Sequence, residues 1–155
     1  MIEYRTSRCV AVTSAAVFDV IGTHVYENHP RWEREVIEIK PLAAGPIGAG
    51  SEAGMVRKDF LRRKEVVYRC TDFQAGRRIA FDHPGSSMGF KLAFDVEPLP
   101  DEGAEVRITV SAQPRGLARL FEPMMRKGFP KRTERIVDQM MRVIEERAHT
   151  ATARG

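Results

Sequence analysis

The stretch GFKLAFDVEPLPDEGAEVRITVSAQ, residues 89–113, decides the fold of this chain. Its first half places apolar side chains at every second position, and its second half repeats this after a turn rich in Pro, Asp, Glu and Gly. Side chains on a β-strand point to opposite faces in turn, so the pattern predicts two strands with one apolar and one polar face. Such one-sided strands are typical of antiparallel sheets that cover a core with one face only.

The same period of two predicts further strands before this pair. We expect strands in the segments 2–12, 34–42, 51–60, 64–73 and 77–83. In the segment 34–42, Ile37 and Ile39 mark the expected inward face, and in 64–73 Tyr68 and Cys70 do so. Gly, Pro and Asp separate most of these segments, as in an antiparallel meander. The sequence therefore predicts a curved sheet of six to seven strands.

Two short helices are predicted between the first strand and the rest of the sheet. Thr13 or Ser14 caps the first of them, SAAVFDVIG, and Gly22 ends it. The segment THVYENHPRW forms a second helical turn or a loop. Pro30 disfavours helical structure at His29 and directs the chain toward an extended conformation.

The last 40 residues carry a helical pattern that can cover the apolar face of the sheet. Apolar side chains recur there at helical spacing, with charged residues between them: Leu117, Leu120, Phe121, Met124, Ile136, Met140 and Ile144. Pro123 and the triplet at 128–130 are expected to bend or break this helix. The predicted fold class is α+β, a curved antiparallel sheet wrapped around a long C-terminal helix, with two short helices after the first strand.

Length and composition restrict the class of protein. The 155 residues suit a single domain, 1–155, and 43% hydrophobic residues suit a globular fold. No apolar run reaches the roughly 18 residues of a membrane span, so integral membrane association is not predicted. No secretory signal is visible, and Cys9 and Cys70 are expected to be free thiols. We expect a cytoplasmic protein that is a monomer or a homodimer.

The net charge of +4 is mild, and much of the basic excess lies between residues 115 and 147. No basic stripe interleaved with exposed aromatic residues is visible, so nucleic-acid binding is not predicted. A solvated helix face is the simpler interpretation of these charges. An interaction module whose basic C-terminal helix meets an acidic partner or a membrane surface stays open as a further hypothesis.

Five segments in order carry a family resemblance: SAAVFDVI (14–21), HPRWEREVIEI (29–39), GPIGAGSE (45–52), RRIAFD (77–82) and PRGLARLFEPMMRKG (114–128). Together they resemble the START-like (SRPBCC) superfamily with the helix-grip fold, and in particular its polyketide cyclase/dehydrase and lipid transport group. The resemblance covers about residues 7–147. It implies a long hydrophobic cavity between the concave face of the sheet and the C-terminal helix. It does not decide the activity, because the superfamily includes carriers, cyclases and ligand receptors.

The resemblance and the alternation together predict which side chains line this cavity. We expect the following residues to contact a ligand: Trp32, Met55, Tyr68, Phe81, Phe90, Phe94, Met124 and Met140. The indole of Trp32 is apolar but carries one N–H donor, so it suits a half-wet position at the mouth of the cavity. Alternatively, Trp32 plugs one end of the core.

Two functions are compatible with such a cavity. The first is binding of a small hydrophobic or amphipathic ligand, lipid-like or polyketide-like, with burial of apolar surface as the driving force. The second is an enzyme of the polyketide cyclase or aromatase type, for which Arg57, Asp59 and Tyr68 are the first candidate catalytic residues. Arg57 and Asp59 face inward if Met55 does, unless a β-bulge changes the alternation.

No cofactor or metal site is predicted. His24 and His29 are five residues apart, and no further His, Cys or acidic residue joins them in a convincing ligand set. The glycine-rich segment GPIGAG leads into a strand rather than a helix, so it is a turn and not a phosphate-binding loop.

Overall fold

The computed structural model describes residues 1–59 and 62–154, of which 59 and 149–154 are described by their backbone alone. The strands are β1 Ile2–Val10, β2 Val36–Pro41, β3 Glu52–Asp59, β4 Arg62–Gln74, β5 Arg78–Asp82, β6 Lys91–Pro98 and β7 Ala104–Ala112. The α-helices are α1 Ser14–Phe18, α2 Val25–Trp32 and α3 Glu122–Arg154. A π-helical turn, Asp19–Thr23, follows α1, and a 3₁₀ helix, Gly116–Phe121, precedes α3.

The strands of the described part of the chain form one seven-stranded sheet in the order β1-β7-β6-β5-β4-β3-β2. Neighbouring strands pair in antiparallel fashion, so β2 to β7 form a meander and β1 closes on β7. The long helix α3 packs against β1, α1 and α2. This arrangement is the curved antiparallel sheet with a long C-terminal helix and short helices after β1, so the predicted helix-grip fold is confirmed.

The alternation of the central strands positions the core as predicted. Ile79, Phe81, Phe94, Val96 and Val106 are almost completely buried. The register places Ile79 opposite Phe94, and Val96 opposite Val106, so apolar side chains meet across neighbouring strands. Each large apolar side chain buried in this way contributes roughly 1.5–3 kcal/mol to the stability of the fold.

A β-bulge in β2 corrects the predicted inward face of that strand. The register to β3 shifts between Val36 and Glu38. As a result Val36 and Ile39, three residues apart, are both buried, whereas Ile37 is 44% exposed. Strict alternation had placed Ile37 on the inner face. The extra residue of a bulge changes the face that follows it.

The short helices begin as predicted but extend further. The side chain of Thr13 accepts a hydrogen bond from the backbone N–H of Ala16 at 3.3 Å, so Thr13 is the N-cap of α1. The helical path does not end at Gly22 but continues in the π-helical turn to Thr23. The expected extended exit at Pro30 is wrong, because α2 continues through Pro30 to Trp32. A proline near the end of a short helix removes only one hydrogen bond, and burial of the last turn offsets this cost.

The C-terminal helix also corrects two expectations. Pro123 lies in the first turn of α3, where its missing N–H would have no partner, and the helix continues unbroken through Pro130. Side chains on both sides of Pro130 are buried, including Phe129 and Thr133, and this packing holds the two halves together.

The first part of the predicted apolar face does not join the core. Four side chains around the start of α3 are largely exposed: Leu117 83%, Leu120 77%, Phe121 54% and Met124 67%. From Phe129 onward the helix buries its apolar face, with Val137, Met140 and Ile144 at the centre. The helical period was therefore predicted correctly, but the core covers only its later part.

Candidate functional site

A cavity of about 100 Å³ lies between the inner face of the sheet, α2 and α3. Strands β3 to β7 supply one wall and the buried face of α3 supplies the other, with α2 closing one side. The volume is smaller than the roughly 300–1,000 Å³ that is typical of sites for drug-sized ligands. The cavity as it stands suits a molecule of about one ring or a short chain.

Aromatic side chains form most of one wall. Tyr68 stacks on Phe81 with ring centroids 4.2 Å apart, and on His83 at 5.3 Å. On the neighbouring strand β6, Phe94 meets Trp32 of α2 edge-on, with ring centroids 6.3 Å apart. Flat apolar faces of this kind fit a planar or hydrocarbon group, because aromatic rings bury large areas with little loss of conformational entropy.

A buried polar cluster interrupts the apolar wall. We define it as His29, Glu33, Arg57 and Tyr68, all of which line the cavity. Tyr68 Oη lies 3.2 Å from His29 Nδ1, and His29 Nε2 lies 3.4 Å from Glu33 Oε2. Arg57 Nη1 donates to the same carboxylate oxygen at 3.1 Å. The four side chains thus form one continuous chain from β4 through α2 to β3.

The electrostatics of this polar cluster keep Glu33 ionised. Burial would raise the pKa of its carboxyl, but the hydrogen bond and charge of His29, together with the charges of Arg57 and Arg132, lower the pKa to about 2. A buried carboxylate with positively charged neighbours is stabilised in its charged form. Glu33 therefore acts as a fixed acceptor that orients His29 and Arg57.

Tyr68 and His83 hold their neutral forms. Burial, and next the charge of Glu33, raises the pKa of the Tyr68 hydroxyl well above its usual value. Burial also lowers the pKa of His83, whose Nδ1 lies 3.1 Å from the carbonyl oxygen of Val67. With a neutral His29, the Tyr68 hydroxyl donates to Nδ1, and Nε2–H donates to Glu33. The one O–H of Tyr68 is then used within the cluster, so this hydroxyl can donate to a ligand only after it turns away from Nδ1.

Positive charge dominates the ionisable lining. Arg57, Lys91 and Arg132 are the Lys and Arg residues among the described lining residues, and Glu33 is the one carboxylate there. Arg132 also lies 3.9 Å from Glu35, an ion pair at the limit of contact. Since an apolar cavity strengthens the field of charges at its wall, this balance favours an anionic or oxygen-rich end of a ligand.

The structure brings most of the predicted ligand-binding residues together. The following predicted residues line the cavity: Trp32, Met55, Tyr68, Phe81, Phe90, Phe94 and Met140. Trp32 is only 3% exposed and sits in the last turn of α2, which fits the alternative of a plug in the core rather than a half-wet position at the mouth. Its indole forms part of the closed wall, because the longer helix α2 carries it inside.

The other predicted positions fall elsewhere. Met124 lies on the exposed part of the C-terminal segment and does not line the cavity, because the lining side chains of α3 begin at Phe129. Arg57 lines the cavity, the position that alternation gave it if Met55 faced inward and no β-bulge intervened, and its side chain is 14% exposed. Asp59 ends β3, and its side chain lies outside the described residues.

Sequence reasoning missed Glu33 altogether and did not connect His29 with the cavity. The two residues are an i,i+4 pair, so they share one helix face only if the helix continues through Pro30. The i,i+4 spacing indicated a shared helix face, but Pro30 was expected to end the helix between the two residues. Thr133 and Arg132 were missed as well, because the apolar pattern of α3 gives no weight to polar residues on its buried face.

Among residues 1–58 and 62–148, whose side chains the structure describes, no three His, Cys, Asp or Glu side chains converge as ligands of a metal ion would. None of the helices in that part of the chain is both long and apolar enough to cross a membrane.

A family model described as polyketide cyclase/dehydrase and lipid transport matches residues 1–145. The chain therefore belongs to this family, within the START-like (SRPBCC) superfamily. No curated protein sequence matches the chain in the corresponding search.

Solved structures share the fold at low sequence identity. A protein from Thermus thermophilus is 18% identical, with a TM-score of 0.72, and the match covers 97% of this chain and 99% of that one. A START superfamily protein from Mycobacterium smegmatis is 12% identical, with a TM-score of 0.72 and coverage of 93% and 97%. An aromatase/cyclase from a Streptomyces species is 13% identical, with a TM-score of 0.72 and coverage of 96% and 93%. These likenesses concern the fold alone.

Proposed function

We propose that this member of the polyketide cyclase/dehydrase and lipid transport family binds a small amphipathic molecule that has an apolar body and an anionic or oxygen-rich end. The apolar body packs against Phe81, Phe94 and Met140. The polar end faces Arg57 and Tyr68 of the polar cluster. Burial of apolar surface supplies most of the driving force, and the polar cluster supplies orientation and selectivity.

The observation that supports this proposal is the buried polar cluster inside an otherwise apolar cavity. Burial of an arginine costs free energy unless its charge is compensated, and here Glu33 compensates Arg57. No second carboxylate stands beside Lys91 and Arg132 among the described lining residues, and Arg132 meets Glu35, outside the lining, only at 3.9 Å. A ligand with a carboxylate, enolate or phenolate would complete this charge balance.

The cavity size restricts the ligand. At about 100 Å³ it is close to the roughly 150 Å³ of an engineered cavity that accommodates benzene. A single ring or a short chain therefore fits with small shifts of the lining side chains. A longer lipid-like or polyketide-like chain requires α3 to move away from the sheet.

Titration of the fluorescence of Trp32, the one tryptophan of the chain, tests the proposal directly. The probes are phenylacetate and phenylacetamide, which share a ring and differ in charge. We expect phenylacetate to bind at least about tenfold more tightly, since hydrogen bonds to charged groups are worth more than neutral ones. Arg57→Gln should remove most of this preference. Dodecanoate measures the tolerance for a longer chain.

Arg107→Gln is the matched control, because Arg107 is a half-exposed arginine on β7 that pairs with Glu97 and Glu105 outside the cavity. It should bind both probes as the wild type does. The proposal is wrong if neither probe changes the emission of Trp32 up to millimolar concentration, or if Arg57→Gln keeps the full preference for the acid. Native mass spectrometry of gently purified protein then identifies any natural ligand.

The hydrogen-bonded chain of the polar cluster favours a second candidate function, an enzyme of the polyketide cyclase or aromatase type. In such an enzyme, the Tyr68 hydroxyl would turn from His29 Nδ1 to a ligand carbonyl oxygen, and the freed Nδ1 would take a proton from the carbon next to that carbonyl as an enolate forms. Glu33 would stabilise the protonated His29 through its Nε2. The raised pKa of Tyr68 fits a hydrogen-bond donor rather than a base.

Deuterium exchange at the α-carbon of a simple β-keto ester, followed by NMR, tests this second candidate. His29→Gln and Tyr68→Phe should each slow the catalysed exchange by about a hundredfold or more. Tyr26→Phe is the matched control, because the Tyr26 hydroxyl is buried without a hydrogen-bond partner among the described residues and does not line the cavity. Exchange at the uncatalysed rate in the wild type would exclude this chemistry and leave binding alone.

A further inference from the structure

The exposed apolar side chains at the start of the C-terminal segment form a continuous stripe. Leu117, Leu120, Phe121 and Met124 are spaced i, i+3, i+4 and i+7, and all four are more than half exposed. Leu117 and Leu120 lie one above the other in the 3₁₀ helix, and Phe121 and Met124 are three residues apart across the start of α3, so each pair follows one side of the segment. Isolated exposed apolar residues are common, but a contiguous patch marks a surface that meets another apolar phase.

Basic residues flank this stripe on both sides. We call the four apolar residues, together with Arg115, Arg119, Arg126 and Lys127, the apolar–basic patch. Residues 115–132 contain six basic residues and one acidic residue, out of 25 and 21 in the whole chain. The remaining residues therefore hold 19 basic and 20 acidic side chains, so the whole net positive charge of the chain derives from this segment.

Backbone hydrogen bonds hold the apolar–basic patch in place. The N–H of Arg115 donates to the carbonyl of Ser87 at 2.8 Å, and that of Gln113 donates to Met88 at 2.9 Å. On the other side, Phe129 is buried five residues after Met124 and anchors the helix to the sheet. The apolar side chains are thus presented outward by a fixed backbone rather than by a loose tail.

We propose that the apolar–basic patch docks this protein reversibly on the surface of an anionic lipid bilayer. An apolar stripe between basic residues is typical of helices that lie in the membrane interface, with the apolar side chains among the acyl chains and the cations at the lipid phosphates. The positive charge of the patch therefore favours an anionic lipid surface over a neutral one. The short stripe, of four residues, predicts weak and salt-sensitive binding rather than permanent anchoring.

The position of the patch gives docking a consequence for the cavity. Phe129, which follows the patch on α3, lines the cavity, and so does Phe90, which follows the Ser87–Met88 segment that holds the patch. A docked protein would bring this end of the cavity close to the bilayer, where amphipathic molecules concentrate. The docking itself does not require the cavity to bind anything, and its test uses no ligand.

Co-sedimentation with lipid vesicles tests the proposal on the full chain. The vesicles are phosphatidylcholine with about one third phosphatidylglycerol, and pure phosphatidylcholine for comparison. We expect binding to the anionic vesicles that weakens steeply between about 50 mM and about 500 mM salt. The variant Leu117→Ser/Leu120→Ser/Phe121→Ser should lower the partition constant by about tenfold or more. The variant Arg115→Gln/Arg119→Gln/Lys127→Gln should lower it by about fivefold per residue, on anionic vesicles alone.

Matched controls distinguish binding through the apolar–basic patch from nonspecific binding to the vesicles. Ile37→Ser/Leu42→Ser removes exposed apolar side chains elsewhere, and Arg5→Gln/Arg107→Gln removes exposed cations elsewhere. Both control variants should bind as the wild type does, and circular dichroism checks that all variants fold. The proposal is overturned if the wild type does not sediment with anionic vesicles, or if both patch variants still bind fully.

Two further measurements identify a different partner of the patch if membrane docking is wrong. If the wild type is a dimer in sedimentation velocity and the Leu117→Ser/Leu120→Ser/Phe121→Ser variant is a monomer, a second copy covers the patch and membrane docking is wrong. If vesicles do not bind but polyglutamate binds through the same three cations, an acidic protein is the partner and the proposal again fails.

Discussion

The two parts of the C-terminal helical segment carry the same kind of apolar spacing but lie in different surroundings. Around the start of α3, Leu120 and Met124 point into solvent, whereas Met140 and Ile144 further along are buried against the sheet. The difference teaches that a helical period predicts which side chains share a face, but not what covers that face. Only the later part has the concave sheet opposite it.

The largest expected effect concerns the covered part of α3, by which we mean its buried face from Phe129 onward. Ile144→Ala should lower the free energy of unfolding by about 4 kcal/mol, because it removes a fully buried side chain and leaves a cavity in a packed core. Urea unfolding followed by circular dichroism measures the change. A loss below about 1 kcal/mol would mean that α3 is held less tightly than its burial indicates.

The two parts of the segment also differ in the carboxylates beside them. Glu33 lines the cavity together with the buried side chains of α3, whereas Glu122 is the first residue of α3, among the exposed side chains. The folded-state pKa of Glu33, about 2, is below its ordinary value of 4.5. The contribution of ionised Glu33 to the free energy of unfolding is therefore present above about pH 4.5 and lost as the pH falls toward 2. Glu33→Gln should cost about 3 kcal/mol at neutral pH, and this deficit should shrink across that range.

Urea unfolding at a series of pH values between about 7 and 2 measures this difference. Glu122→Gln is the control, because Glu122 pairs with Arg126 on the exposed part of the segment. It should change the stability little at any pH. A constant deficit for Glu33→Gln down to about pH 2 would contradict the ionised, paired state of Glu33.

Pro130 lies between the exposed and the covered part, and its replacement should have a smaller effect. Pro130→Ala restores a backbone N–H within α3, which can donate to the carbonyl of Arg126. Part of this gain is offset because proline also restricts the unfolded chain. We expect a net increase of about 1 kcal/mol in the free energy of unfolding, measured in urea. A decrease would show that the proline ring itself contributes to packing.

The smallest expected effect concerns the exposed part. Leu120→Ala should change the free energy of unfolding by no more than about 0.5 kcal/mol, because the side chain gains little from the folded structure. The same urea measurement applies. A loss comparable to that of Ile144→Ala would show that Leu120 is covered in solution, by a second copy of the chain or by a rearranged helix.

Much of the cavity wall followed from alternation alone. Met55, Phe81 and Phe94 lie at inward positions of their strands, and the cavity side of each strand was predicted from its neighbours in sequence. The polar cluster did not follow in this way. His29 and Glu33 share a helix face only because α2 continues through Pro30, and local rules disfavour that continuation. Burial of the last turn of α2, with Trp32 against Phe94, outweighs the local preference.

The family resemblance rested on the five quoted segments. The sequence by itself also determined the strands, their inner faces apart from the register shifts in β2 and β4, and the long amphipathic helix. These features rest on periods of two and of about 3.6 residues, which follow from the local backbone geometry. Only the tertiary structure decided that Arg57 meets Glu33, that Trp32 is buried and that Leu120 is exposed. Contacts of this kind depend on which elements lie opposite each other, and helix and strand periods do not carry that information.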